Sequence, residues 1–168
     1  MRKNSKHTNA NYIRNFIFGV EDSLVSTVGL VSGIAVAGVP RETIFLSGMV
    51  LIVVEALSMG VGSVLSETAT QEFIYKRSKA IEFSKVGGII MFISYFIAGF
   101  IPLLPYYFYE MTRAFPISIL ASFIALFALG FFSAKKFNAS VFKSALRMLV
   151  LGGLAIVAGV LVGMFIHS

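Results

Sequence analysis

The sequence predicts an all-α integral membrane protein with five transmembrane helices, and three observations support that class. Hydrophobic residues make up 57% of the 168 residues and charged residues only 13%, whereas soluble domains average about 45–50% and about 25%. The mean hydropathy is +0.87. Five apolar runs also approach or exceed the roughly 20 residues that a helix needs to cross a bilayer. These features place most of the chain in the membrane.

The five predicted spans follow one another with short connections, which favours one compact domain. Residues 1–15 are polar and basic, so we expect a cytoplasmic N-terminal segment that is not a cleavable signal peptide. Residues 16–168 are expected to form the single transmembrane domain. Its spans are predicted at residues 16–39, 44–68, 86–104, 116–132 and 145–166.

Prolines mark several of the predicted helix ends. Pro40 is expected to close the first span, and Pro102 and Pro105 the third, because proline interrupts the hydrogen bonding of a helix interior. Pro116 suits the first turn of the fourth span, where its missing N–H group has no helical partner to lose. The sequence therefore predicts a helix boundary at or beside each of these residues.

The distribution of basic residues predicts the orientation of the chain. Twelve of the 14 lysines and arginines lie in or beside the N-terminal segment, the second-to-third connection and the fourth-to-fifth connection. Because short cytoplasmic loops are enriched in these residues, the N-terminus is expected in the cytoplasm and the C-terminus on the far side. The net charge of +6 is thereby explained as a topology signal, and no nucleic-acid partner is predicted.

Acidic residues within the spans are the candidate functional groups. Glu55 lies near the middle of the second span, where a carboxylate costs roughly 2.5–3.5 kcal/mol on insertion scales and usually marks an ion path. A protonated Glu55 with a purely structural hydrogen bond is the alternative. Asp22 lies about two turns into the first span, but Asp22 or Ser23 could instead cap a helix that starts there. Glu21 points to a different face from Asp22 and is expected to be solvated.

Helical spacing groups these acids with other polar and small side chains. Two stripes share the spacing i, i+4, i+7, i+11. They comprise Asp22, Ser26, Gly29 and Gly33 on the first span, and Glu55, Met59, Gly62 and Ser66 on the second, with Ser58 beside the latter.

Carboxylate oxygens and a thioether sulfur form a mixed ligand set that suits transition metals better than Mg²⁺ alone. Packing is the alternative role for Met59, because methionine fills irregular gaps in apolar cores. The absence of cysteine excludes thiolate ligands and disulfides. The pairs Gly29–Gly33 and Gly159–Gly163 each have GxxxG spacing, which permits close helix approach.

Two stretches resemble the vacuolar iron transporter family. FGVEDSLVSTVGLVSGIA, residues 18–35, is similar to the family pattern F-G-x-x-D-G-L-V-S, and EALSMGVGSVLSETATQE, residues 55–72, is similar to its acid-A-L-S-M segment. The resemblance implies a homodimer of five-helix protomers that exports Fe²⁺, and often Mn²⁺, from the cytosol in exchange for protons. It also implies a path at the dimer interface lined by Asp22 and Met59, with Glu55 at a position where many members carry an acid.

The sequence departs from the family pattern at two places. Members with a cytoplasmic metal-binding domain carry an acid-rich insert between the second and third spans, whereas residues 69–85 form a connection of only 17 residues that is basic. The chain therefore resembles the short, nodulin-like branch, which puts cytosolic metal capture by an insert in doubt. The second departure is Ser23, where the family pattern usually has glycine.

These observations predict a path for Fe²⁺ or Mn²⁺ as transported substrate, with H⁺ as the counter-ion and no tightly bound cofactor. Metal would pass Glu67 and Glu72 and be held between Glu55, Met59 and Asp22 of both protomers. Ser26, Ser58 and Ser66 are secondary candidates for the path. The membrane would be the plasma membrane in a prokaryote, and a vacuolar or other organelle membrane in a eukaryote.

The sequence leaves three other classes of function to compare with metal transport. An enzyme is disfavoured because the histidines, His7 and His167, lie at opposite ends of the chain and no lysine falls inside a span. A transporter or channel for another cation, such as H⁺, Na⁺ or Mg²⁺, would use the same acids. A structural membrane protein would use the small-residue faces for assembly and the acids as buried hydrogen-bonding groups.

Overall fold

A computed structural model describes residues 2–75, 80–137 and 140–167, with side chains in residues 9–73, 84–137 and 140–166. These residues form five α-helices and no strand. In chain order the helices are α1 (Arg2–Val36), α2 (Arg41–Tyr75), α3 (Ala80–Phe108), α4 (Met111–Phe137) and α5 (Val141–His167). Each contains a segment that is long and apolar enough to cross a membrane. The predicted all-α protein with five membrane-length helices is confirmed.

The helices extend beyond the predicted spans at most ends. α1 includes nearly all of residues 1–15, and α2 continues to Tyr75. The reason is that an apolar run marks the part of a helix inside the bilayer, whereas backbone hydrogen bonding continues into water. α1 ends three residues earlier than predicted, at Val36, because Gly38 adopts a positive φ of 70° that breaks the helix. The Pro40 carbonyl then accepts the first hydrogen bonds of α2, from the amides of Thr43 and Ile44.

The prediction that Pro102 and Pro105 close the third helix is wrong. α3 continues through both prolines to Phe108. Membrane helices tolerate proline when neighbouring groups satisfy the backbone around it. Beside the first of them, the hydroxyl of Ser118 on α4 donates a hydrogen bond of 2.6 Å to the Pro102 carbonyl and joins the two helices. Pro116 also lies beyond the first turn of its helix, because α4 begins at Met111.

α1 is the central helix of the bundle and packs against each of the other four. α2 packs against α3 and α1 at one edge, and α5 packs against α1 and α4. Two apolar clusters fill the interior. One contains Val31, Ile44, Ile52, Leu103, Tyr106 and Ala114, and the other contains Leu24, Ala98, Leu126 and Met148.

Glycines bring α1 and α5 into backbone contact. A Cβ atom built at Gly33 would lie 2.5 Å from the carbonyl oxygen of Gly159, and one built at Gly29 would lie 3.1 Å from the Ala155 carbonyl oxygen. A Cβ at Gly163 would meet the carbonyl oxygen of Gly33. The two GxxxG motifs therefore face each other across one helix interface, as small residues do where membrane helices approach closely.

Candidate functional site

Acidic and hydroxyl side chains meet in the middle of the bundle. Asp22 lies in the interior of α1, so the structure excludes the alternative in which it caps a helix start. Asp22 and Glu55 of α2 are both half-buried and lie within electrostatic range of each other. The hydroxyls of Ser26 and Tyr95 share a hydrogen bond of 2.7 Å, and Tyr95 lies within electrostatic range of both acids. Three helices thus contribute to one central polar cluster.

Ser23 ties α3 to this cluster. Its buried hydroxyl donates a hydrogen bond of 2.6 Å to the backbone carbonyl of Tyr95. Gly99 provides the space, because a Cβ atom there would lie 2.9 Å from the Ser23 hydroxyl oxygen. The serine that departs from the family pattern therefore has a definite role in holding α1 against α3.

A first cavity opens at the end of the bundle where most basic residues lie. This basic-end cavity has a volume of about 820 Å³ and lies between α1, α2, α3 and α4. Its lining includes Glu21, Met59 and Met91, together with four serine hydroxyls. The serines are Ser58, Ser63, Ser66 and Ser133.

A second cavity lies toward the opposite end of the bundle. This far-end cavity has a volume of about 620 Å³ and is lined by α1 and the segment after it, Leu51 of α2, and the second half of α5. Its lining is largely apolar, and Asp22 and Ser26 stand at its inner end. The central acids thus lie between two cavities that extend toward opposite ends of the molecule.

The predicted site residues divide between these cavities within one protomer. Met59, Ser58 and Ser66 line the basic-end cavity, whereas Asp22 and Ser26 line the far-end cavity. Glu55 lines neither cavity, and its carboxyl group lies within electrostatic range of Asp22. Among the described side chains, no group of three or more Asp, Glu, His or Cys converges as a metal would require.

Two contacts join α1 and α2 near the mouth of the basic-end cavity. Asn15 donates a hydrogen bond of 3.0 Å to the Ser63 hydroxyl. Nη2 of Arg14 lies 3.9 Å from Oε2 of Glu67, and Oε1 of the same carboxylate accepts a hydrogen bond of 2.8 Å from Nε2 of Gln71. Glu72, the other predicted acid at this end, is exposed. Glu67 is therefore positioned at the cavity mouth, while Glu72 faces the surroundings.

Glu21 points to a different face from Asp22, as the sequence predicts, and lies in the wall of a cavity. Glu21 is half-buried and lines the same cavity as Met59. Consecutive residues on a helix point about 100° apart, so Glu21 faces the basic-end cavity while Asp22 faces the far-end cavity. One signal was present in the sequence: Arg14 precedes Glu21 by seven residues, and this spacing places both on one helix face. Tyr95 and Met91 carried no comparable signal, because both lie in a mostly apolar run in which Ser94 is the only other polar residue between Ile89 and Ala98.

Five membrane-length helices around interior acidic groups define the class of the molecule: a multi-pass integral membrane protein with ionisable side chains at its centre. The model of the VIT family matches residues 13–86 and 82–164. The matched segments cover most of the chain, so the protein belongs to the VIT family, a family of membrane metal-ion transporters rather than enzymes. No curated protein matches the chain.

The family match is divided beside the connection between α2 and α3. Its two segments meet at residues 82–86, close to the start of α3.

Removing the hydroxyl of Tyr95 is expected to weaken transport without unfolding the protein. In Tyr95→Phe the buried ring keeps its packing, but Ser26 beside Asp22 loses the shorter of its two hydrogen bonds and keeps only the one of 3.5 Å to the Ser23 carbonyl. We expect about tenfold higher KM for the metal, at the lower end of the effect of losing an outer-shell partner at metal sites, and a stability loss of only about 1 kcal/mol. Flux at varied metal concentration, with thermal unfolding in parallel, measures both. Tyr107→Phe on the exposed part of the same helix is the control, and equal KM values for the two variants would contradict a positioning role.

Proposed function

We propose that the protein is a homodimeric exporter of Fe²⁺ or Mn²⁺ that moves the metal out of the cytosol in exchange for protons. Membership of the VIT family supports the coarser class of membrane metal-ion transport. The observation that carries the finer proposal is the position of Asp22 and Glu55 between two cavities that extend toward opposite ends of the bundle. Such a placement suits groups that bind an ion arriving from one side and release it to the other.

The donor set supports a transition metal as the substrate. Carboxylate oxygens of Asp22 and Glu55 are hard ligands, and the thioether of Met59 adds a softer one. Oxygen-only sites suit Mg²⁺ and Ca²⁺, whereas sulfur adds preference for ions later in the first transition series. Fe²⁺ and Mn²⁺ can bind such a mixed set of ligands. The presence of Met59 favours them over Mg²⁺ as the substrate.

A second protomer would complete the site. A divalent ion that sheds water needs more ligands than the two neighbouring acids of one chain provide. Ser58, Gly62 and Ser66 form an exposed stripe on α2 at membrane depth, and hydroxyl groups are poorly satisfied by lipid. If α2 stripes of two protomers face each other, these hydroxyls leave the lipid and two copies of Asp22, Glu55 and Met59 become available to one path.

Proton exchange follows from the chemistry of carboxyl groups in an apolar setting. Low polarity favours the neutral acid, while a bound cation favours the carboxylate. Metal arrival would therefore release a proton from the central acids, and metal departure would allow a proton to return. With the basic end in the cytoplasm, as the positive-inside rule predicts, metal would pass Glu67 at the mouth of the basic-end cavity first.

Transport by the purified protein in proteoliposomes tests this function. We expect Fe²⁺, Mn²⁺ or both to cross faster than through empty liposomes, with a matching proton movement in the opposite direction. An imposed pH gradient of the correct sign should accelerate the metal, and Mg²⁺ should move more slowly. Internal dyes for metal and for pH report both ions in one experiment. Metal flux equal to that of empty liposomes would refute the transport function, and flux without proton movement would refute the exchange.

A further inference from the structure

We propose that the end of the α4–α5 hairpin is a binding surface for anionic phospholipid headgroups, formed by Lys135, Lys136 and Lys143. These three residues are called the hairpin basic patch. Lys135 and Lys136 lie in the last turn of α4, and Lys143 lies in the first turn of α5. All three are exposed. The proposal goes beyond metal transport, and it depends neither on which ion the protein carries nor on whether it carries one.

Close packing of α4 against α5 brings the three lysine positions to one level of the bundle. A Cβ atom built at Gly130 of α4 would lie 2.7 Å from the Cα atom of Ala145 of α5, so the two backbones are in contact there. Lys135 and Lys136 follow Gly130, and Lys143 precedes Ala145, all toward the same connection. At about 1.5 Å per residue, the three positions lie within about 6 Å of one another along the hairpin. The headgroup layer of a bilayer is roughly 5–8 Å thick on each side, so one layer can contact all three lysines.

The charge of the hairpin basic patch is not compensated by the protein. The chain has no Asp or Glu after Glu110, so α4 and α5 contain no acid. In the part of the chain that the structure describes, none of the three lysines forms an ion pair. The acids Glu67 and Glu72 of the same end belong to α2, which packs against α1 and α3, and Glu67 already interacts with Arg14. The patch therefore carries an excess of positive charge that an anionic partner would neutralise.

The other basic residues of this end have acids near them. Arg14 has Glu67 as its partner, and the sequence of the α2–α3 connection mixes its basic residues with acids. Arg147, one turn after Lys143, lies within electrostatic range of Glu21. Acids contribute little to the topology of a membrane protein, so the positive-inside rule would tolerate acids beside the patch as well. The absence of acids from the whole hairpin is a separate feature, and it suits a surface that attracts anions.

Exposed phenyl rings beside the lysines indicate that the anion belongs to a lipid. Phe137 follows Lys136 directly and is 51% exposed, and Phe142 precedes Lys143 directly and is 76% exposed. Such rings at the ends of membrane-length helices contact acyl chains, while the lysine stems extend along the apolar surface and place their ammonium groups in the headgroup layer. A phospholipid provides both a phosphate for the lysines and acyl chains for the rings. A soluble anion would satisfy the lysines alone.

Thermal unfolding of the purified protein in detergent, followed by circular dichroism as phosphatidylglycerol is added, tests the patch. A lipid that binds the folded protein raises its melting temperature by mass action. The lipid concentration that gives half of the maximal rise measures the affinity. One basic residue near an anionic surface changes lipid affinity about fivefold, so Lys143→Gln should raise that concentration about fivefold. Lys135→Gln, Lys136→Gln and Lys143→Gln combined in one variant should raise it about 100-fold.

Matched controls separate a lipid site from a topology signal and from a site for soluble anions. Lys135→Arg, Lys136→Arg and Lys143→Arg combined keep the charges and should keep the wild-type affinity. Arg113→Gln removes an exposed basic residue at the other end of α4 and should also keep it. Phosphatidylcholine, inorganic phosphate and polyglutamate should leave the wild-type melting temperature unchanged. The proposal is overturned if any of these three raises the melting temperature as much as phosphatidylglycerol does. Equal phosphatidylglycerol affinities of wild type and the triple glutamine variant would overturn it as well.

Discussion

Asp22→Asn is expected to abolish metal transport while leaving the protein as stable as wild type or more stable. The side chain keeps its size and a hydrogen-bonding oxygen but loses the negative charge that a divalent ion requires. We expect flux in proteoliposomes to fall by at least about 100-fold, because even an outer-shell partner at a metal site contributes roughly 10–100-fold. Thermal unfolding in detergent should show no loss, since a charged Asp at membrane depth costs roughly 2.5–3.5 kcal/mol on insertion scales.

Loss of transport together with unchanged or increased stability would distinguish a functional acid from a structural one. A structural acid would lose stability when its charge or its hydrogen bonds were removed, whereas a functional acid is retained in spite of its cost to folding. Glu110→Gln, a neutralised acid in the exposed connection between α3 and α4, is the control and should keep both properties. An Asp22→Asn variant with near-normal flux and a lowered melting point would assign Asp22 to the structural class instead.

Gly159→Ala is expected to produce the largest loss of stability from a single methyl group. A Cβ atom at this position would meet the carbonyl oxygen of Gly29 and would lie 2.8 Å from its carbonyl carbon. Because backbone atoms cannot rotate away, α1 and α5 must separate. Overpacking of this kind typically costs about 1–3 kcal/mol. Alanine in place of glycine also stabilises a helix by about 1 kcal/mol, which offsets part of that cost. We expect a net loss of about 1–2 kcal/mol, or roughly 2–8 °C in melting temperature.

The same helix provides the control for this variant. At Gly153 of α5, the nearest atom to an added Cβ is Cζ of Phe123, at 4.0 Å. Gly153→Ala should therefore be neutral or slightly stabilising, by up to about 1 kcal/mol. Circular dichroism is the suitable probe of unfolding, because the chain has no tryptophan to report by fluorescence and no cysteine for a thiol-reactive dye. Identical melting curves for Gly153→Ala and Gly159→Ala would show that the close contact between α1 and α5 is not maintained in the folded protein.

Local features of the sequence were sufficient to predict that the molecule is an all-α membrane protein. The number of helices follows from the length and apolarity of five runs, and the turn around Gly38 and Pro40 lies next to the predicted end of the first span. The helix ends at Pro102 and Pro105 were wrong because a membrane helix can continue through proline when its neighbours support it, and here α4 is bound to this part of α3 by the hydrogen bond from Ser118 to the Pro102 carbonyl. No rule that considers one helix at a time includes that partner.

The candidate site was predictable only in part. Spacing placed Asp22, Ser26, Gly29 and Gly33 on one face, and all four line the far-end cavity. Spacing also separated Glu21 from Asp22, but it did not indicate that Glu21 lines a cavity between helices. The cavity that receives Glu21 is built from four helices, so its existence depends on how those helices pack.

The sequence by itself determined that the chain has five helices long and apolar enough to cross a membrane, that Asp22 and Glu55 lie within two of them and that it carries the motifs of the VIT family. Only the tertiary structure decided that Asp22 and Glu21 face different cavities, that Tyr95 hydrogen-bonds to Ser26, and that the glycines of α1 meet those of α5. The physical reason is the difference between water and lipid as the solvent around a helix. In water the contrast between polar and apolar faces marks the buried side of a helix. In a bilayer the lipid-facing side and the packed side are both apolar, so the contacts between helices decide which side is buried.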